Sequence, residues 1–290
     1  MDLTKSLIRA KSPCAAGFRW FARHYEDRSD YQQVLDSLVA EGRIDDACWL
    51  LSQFGPTNAV LRVDAIEAAA LVFAGTLEVS GGIEVDGVLR AGRSIRCGAG
   101  LRAGGPVTVG EDIRTEGGLR CAGALEAGGD IHVAWGLEAN APVRVGGELR
   151  AGWDIACSEG LDVAGGIVTG QDLRVEGALA CGKSLRVGGS LDAGASVRAE
   201  QGILCAGSIE ARRHLDAGWG IRAGESIRAG GAIRAGESLF TAGELRAGDG
   251  YGVFAGLSVP SDAWDTSARV NASARPDALM SGCWAGFSAV

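Results

Sequence analysis

From Leu71 onward an aliphatic residue returns at every sixth position. Leu71, Leu77, Ile83, Leu89, Ile95, Leu101, Val107 and Ile113 open a series that runs unbroken to Leu239 and Leu245. All thirty members are Leu, Ile or Val. Two residues after each comes a smaller apolar partner: Phe73, Val79, Val85, Ala91, Cys97, and on through the chain. Residues i and i+2 of a strand share a face, so each large and small pair points inward from one short strand. The residue between them points outward, and it is Arg at 14 of 30 positions and acidic at 8. Six residues are too few for a hairpin with its own core. They suit one side of a coil that winds continuously and stacks on the next turn.

Three such hexads predict a triangular coil of 18 residues. Ser94-Ile95, Asp112-Ile113 and Asp130-Ile131 recur at that spacing, as do Gly100-Leu101, Gly118-Leu119 and Gly136-Leu137. The expected fold is therefore mainly β: a triangular parallel β-solenoid over residues 61–248. Residues 71–248 would make about ten coils, a rod of roughly 48 Å at ~4.8 Å per coil. Gly crowds the remaining positions, where it is expected to turn the chain by accepting positive φ and close backbone approach.

Residues 1–60 carry a different period. Pro13 after Ser12 marks a helix start, and Cys14, Phe18, Phe21 and Tyr25 follow at helical spacing. Asp30 and Gln33 form a capping-box pattern ahead of Tyr31, Val34, Leu35, Leu38 and Val39, with Gly42 as the stop. Ile44, Ala47, Cys48 and Leu51 make a third stripe closed by Gly55-Pro56. This predicts a small cap of three helices over the first coil. After Gly248 the hexads fade, and residues 249–290 are expected to cover the far end as a capping tail.

Composition narrows the class. There are 46 Gly and only 6 Pro in 290 residues, which excludes collagen and Pro-rich linkers. The net charge of −8 is spread evenly and no segment is strongly basic, which argues against nucleic-acid binding. Of the eight Cys, none forms a CxxC pair, and five (Cys97, Cys121, Cys157, Cys181, Cys205) fall at the small inward position. They are expected to be reduced core residues rather than zinc ligands. No apolar run suggests a signal peptide or a membrane span, so the expected location is cytoplasmic.

The pattern in AGESIRAGGAIRAGESL resembles the bactofilin and polymer-forming cytoskeletal solenoids, and the repeat part of the DUF342 family related to flagellar assembly protein A. The resemblance covers residues 71–248. It implies a right-handed β-helix of cytoplasmic, non-enzymatic, scaffold type. Bactofilins polymerise end to end through bare solenoid ends, whereas here a helical segment and a tail flank the repeats. The left-handed hexapeptide acyltransferases are a second relative. Their small residue precedes the aliphatic one, and they need a catalytic His. Here the small residue follows, and only His24, His132 and His214 are present.

No residue set points to catalysis, a cofactor or a metal. The Gly-rich strings that mimic dinucleotide motifs come with the repeat. At 18 residues per coil, one outward column (Val72, Arg90, Thr108, Glu126, Arg144, Asp162) stacks opposite charges. A second (Arg96, Arg114, His132, Arg150) is biased basic. Trp135 and Trp153, 18 apart, are expected to stack on a corner beside it. Arg114, His132, Trp135, Arg150 and Trp153 thus form the candidate partner-binding patch. The expected function is a non-enzymatic protein-interaction or scaffold protein that presents rigid faces to a protein partner. The rivals are a self-polymerising element, an inhibitor or immunity-type protein, and, last, an acyltransferase. No motif indicates a small-molecule substrate.

Overall fold

Each hexad folds as its alternation requires. Strands such as Ile95–Cys97, Leu119–Cys121 and Val143–Val145 are three residues long, with the outer two side chains buried and the middle one exposed. From Leu71–Phe73 to Leu245–Arg246 the hexad strands pair in parallel at a step of 18 residues, as in Ile95 with Ile113 and Arg96 with Arg114. The computed structural model describes residues 2–25 and 28–287. It is a parallel β-solenoid with three faces: 13, 11 and 12 strands. About twelve turns at ~4.8 Å each make a rod near 58 Å long. We call the faces first (from Val60–Val63 through Ile95–Cys97), second (from Ile66–Ala68 through Leu101–Ala103) and third (from Leu71–Phe73 through Val107–Val109).

The core is one continuous column of aliphatic and small side chains. Polar members of the inner row donate to carbonyls at the corners. The Cys97 thiol donates to Gly81 O at 3.0 Å, the Cys205 thiol to Gly189 O at 2.9 Å, and the Thr115 hydroxyl to Gly117 O at 3.0 Å. A small donor is thus accommodated where a Leu would not fit.

The role of the repeat glycines departs from the expectation. Positive φ occurs at Gly42 and Gly55 in the helical unit and at Gly250, Gly256, Gly282 and Gly286 in the tail, and at no described glycine of the hexads. Close approach explains many of the hexad glycines, though not Gly82 or Gly160, where a Cβ would make ordinary contact at 3.5 Å. A Cβ on Gly110 would lie 2.1 Å from Gly92 O, and one on Gly128 would lie 2.2 Å from Gly110 O.

The ends also differ from expectation. Four helices precede the rod: α1 (Lys5–Ala10), α2 (Ala15–His24), α3 (Tyr31–Ala40) and α4 (Ile44–Phe54). The six residues of α1 are too few for a visible stripe. Cys14, not Ser12, caps α2, its sulfur accepting from Gly17 N. Asp30 caps α3 by accepting from Gln32 N and Gln33 N. The helices close only the third-face side of the first coil. They pack against the side of the third face, because Val72 there is an apolar residue at an outward position and is 1% exposed beneath them. Arg90, one coil on, donates to Cys48 O at 2.9 Å and Ser52 Oγ at 2.8 Å.

Within the helical unit β1 (Asp2–Leu3) pairs antiparallel with β2 (Ser29–Asp30). The first coil is short. Its strands β3 (Val60–Val63) and β4 (Ile66–Ala68) pair with residues 16 and 17 further on, and β5 (Leu71–Phe73) restores the step of 18. The α3 residue Gln32 closes the free edge of β5: its amide nitrogen donates to Val72 O at 3.0 Å and its amide oxygen accepts from Ala74 N at 2.9 Å. Among the described residues β3 and β4 have a strand on one side only. At the far end the tail adds layers with longer excursions: Val253–Phe254 and Leu279–Ser281 to the third face, Arg269–Asn271 and Cys283–Trp284 to the first. The second face stops at Leu245–Arg246.

Candidate functional site

The residue just before each strand sits at a corner, and its backbone N–H lies outside the ladder. Such a donor needs an acceptor or water. At seven corner positions a side chain one coil back supplies it. At the corner between third and first faces, Asp112 Oδ1 accepts from Asp130 N at 2.8 Å and Asp130 Oδ1 from Glu148 N at 2.7 Å. At the corner between first and second faces, Asp154 Oδ1 accepts from Asp172 N at 3.0 Å, Asp172 Oδ1 from Ser190 N at 2.7 Å, and Ser190 Oγ from Ser208 N at 3.2 Å. The remaining corner uses His214 Nδ1 for Ala232 N at 3.1 Å, and twice carries Pro, at Pro106 and Pro142, which has no N–H to satisfy.

Other corner N–H groups also stay open, from Gly166 to Ser238 between third and first faces and from Gly160 to Ser196 at the remaining corner, but one open stretch is all glycine. Between first and second faces the row reads Gly82, Gly100, Gly118 and Gly136 before Asp154 begins the ladder. No side chain is present to accept, and the N–H groups of Gly82, Gly100, Gly118, Gly136 and Asp154 have no partner among the described residues. The carbonyls of these glycines are used: Gly100 O accepts from Ile83 N at 3.0 Å and Gly118 O from Leu101 N at 2.9 Å. The row is therefore a rail of donors without acceptors. With no side chains above it, it floors a groove of about 790 Å³.

The groove has an aromatic wall. Trp135 and Trp153 line it and stack on each other, with ring centroids 6.2 Å apart and planes 21° from parallel. They are 58% and 60% exposed. Trp153 lies on the C-terminal side of Trp135, so the other face of Trp135 looks back over Gly117, where the row has no ring to stack. The opposite wall is the outward column of the second face, including Glu84, Arg102, Arg120 and Glu138. Arg120 pairs with Glu138 at 2.7 Å, and Arg102 lies 4.0 Å from Glu84.

The five residues singled out from sequence fall into two groups. Arg114, His132 and Arg150 stack in register on the first face. They line a separate groove of about 590 Å³, opposite the Asp112, Asp130 and Glu148 corner. Trp135 and Trp153 lean to the other side of their corner, away from that column. The basic bias is also locally offset, since Arg114 pairs with Glu116 at 3.2 Å and Arg150 with Glu148 at 2.5 Å. The glycine rail was not singled out, although it is visible at a period of 18 as four Gly followed by Asp and Ser.

Other chemistry is sparse. No group of three His, Cys, Asp or Glu among the described residues could hold a metal ion. All eight Cys are unpaired. Burial pushes the Cys157 thiol up to about 12, and it raises Cys97, Cys121, Cys181 and Cys205 as well. His24 sits 3.2 Å from Glu41. A pocket of about 260 Å³ lies inside the helical unit, among Trp20, Phe21, Leu38 and Trp49. No helix among the described residues is long and apolar enough to cross a membrane.

The first 55 residues match the family described as the YdhT N-terminal domain. The match ends where α4 ends, at Phe54 and Gly55, so the helical unit is what the likeness covers. No curated protein and no solved structure matches the chain.

Proposed function

We propose that the chain is a non-enzymatic interaction protein, a stiff rod whose side groove receives a protein partner and so scaffolds an assembly. The observation that carries this reading is the exposed Trp135–Trp153 stack at the wall of the groove. Neither indole fills the core, and large aromatic surface left in water gains most when a partner covers it. Trp is also a frequent anchor of interfaces. Eight unpaired thiols fit a reducing, cytoplasmic setting. The test is affinity capture from the source cell with wild type and with Trp135→Ala/Trp153→Ala. We expect the variant to keep its melting temperature and to lose a partner. Equal capture by both proteins contradicts the reading.

A second reading has its own observation. The helices leave β3 and β4 with open edges, and Val60 is 39% exposed there. Unpaired edges are templates for another chain, and the hexads resemble those of solenoids that polymerise by their ends. Light scattering over a concentration series separates the readings. Growth of mass with concentration, abolished by Val60→Lys, supports end-to-end association. A constant monomer mass removes it.

A further inference from the structure

Building on the reading of the Trp groove as a partner site, we propose that its occupant is a proline-rich segment of another protein, bound as a polyproline II helix along the rod. The groove's chemistry sets the terms. Its floor offers backbone N–H donors from Gly82 to Asp154 and no free glycine carbonyl. A ligand that leaves those donors dry without accepting from them loses about 1–3 kcal/mol per group, so the occupant must be rich in acceptors. Because the floor does not accept, an occupant with many N–H groups would strand its own. Proline supplies a carbonyl and no N–H.

Shape and spacing agree. Polyproline II has no internal hydrogen bonds, so its carbonyls are free, and it rises ~3.1 Å per residue with three residues per turn. One turn is then about 9.3 Å, against about 9.6 Å for two coils of the rod at ~4.8 Å each. Every third carbonyl meets every second rail donor without slipping over the groove's length, and the alternate donors between them keep their water because the groove is open to solvent. A β-strand, at about 6.8 Å per residue pair, falls out of step within two coils. The four coil steps from Gly82 to Asp154 span about 19 Å, the reach of roughly six polyproline residues. The free face of Trp135 gives a pyrrolidine ring a flat apolar surface, the recurrent way that aromatic grooves hold proline. Arg102, Arg120, Glu84 and Glu138 then face residues of either charge beside the prolines.

The rival occupants differ in chemistry. A neutral sugar chain would use the indoles but brings as many donors as acceptors. A second copy of this chain has only 6 Pro in 290 residues, and no two of them adjoin.

The probe is deca-proline, titrated by calorimetry into the full chain. A Gly-Ser peptide of equal length and cellohexaose serve as comparisons. Two variants attack different parts of the site. Trp135→Ala removes the stacking face. Gly118→Asp supplies the missing acceptor for Gly136 N, as Asp154 does for Asp172 N. Its Cβ would lie 3.3 Å from Gly136 O, and φ is not positive, so a small shift accommodates it. We expect deca-proline alone to bind, and each variant to weaken it at least about tenfold while the melting temperature holds. No binding at millimolar peptide, equal affinity in both variants, or tighter binding of cellohexaose overturns the proposal. If deca-proline fails while partner capture still depends on the two Trp, the occupant is wrong and the interaction reading stands. If capture is also Trp-independent, both fall.

Discussion

One corner of the rod carries two different surfaces. From Asp172 to Ser208 each N–H just before a strand is accepted by an Asp or Ser side chain one coil back, so the corner is closed by its own chemistry. From Gly82 to Gly136 the same slot holds Gly, the donors stay open, and two Trp rise beside them. Backbone, register and core are alike in both halves. The contrast teaches that this solenoid separates its duties by position in the hexad. The inward pair makes the fold, and the slot before the strand decides whether a corner is structural or available to a partner.

The comparison can be broken first at the core. If the halves differ only at the corner, Leu119→Ala beside the rail and Leu173→Ala beside the ladder should cost alike, since both side chains are fully buried. We expect each to lose about 2–5 kcal/mol in chemical denaturation. A large gap between them would mean that the rail half is less well packed, and that its open corner reflects loose structure.

The corner itself should show a smaller, asymmetric effect. Asp172→Ala removes the acceptor of Ser190 N, held at 2.7 Å, and should cost about 0.5–1.5 kcal/mol. Gly118→Ala deletes no acceptor and should stay within about 0.5 kcal/mol. Equal losses in the two variants would remove the distinction between ladder and rail.

The thiols sharpen the claim that the core is continuous. Alkylation at pH 8 followed by mass spectrometry should modify exposed Cys14 and leave Cys97, Cys121, Cys157, Cys181 and Cys205 untouched. Desolvation raises the Cys157 pKa from 9.0 to about 12. A raised thiol pKa contributes stability that is present below the ordinary value and lost as the pH rises through the raised one. Stability should therefore fall from about pH 9 toward 12, and Cys157→Ala should flatten that fall. Modification of the five inner thiols in the native protein would mean that the coils open readily.

Much of the fold was legible because the hexad leaves no alternative. Thirty aliphatic positions in unbroken phase admit one period, and the 18-residue recurrence of Asp112-Ile113 and Asp130-Ile131 fixed the coil. The ends were less legible, because coils there are not periodic. The 16- and 17-residue steps of β3 and β4 hide them, and the tail reaches its strands through long excursions. The placement of the helices turned on one residue, Val72, whose apolar character at an outward slot marks the covered face. The candidate site was half legible. The exposed Trp pair followed from its spacing. Which way the indoles lean did not, because the neighbouring Gly row was read as turn-forming. In fact none of its φ values is positive, and its consequence is an unpaired donor.

Hydrogen exchange of individual backbone amides, read by NMR in the free protein, tests the central contrast most directly. We predict that Gly100, Gly118 and Gly136 exchange near the rate of an unstructured chain while Asp172, Ser190 and Ser208 are protected. Slow exchange at the three glycines would mean that their donors are already satisfied, and the groove would no longer be a surface waiting for a partner.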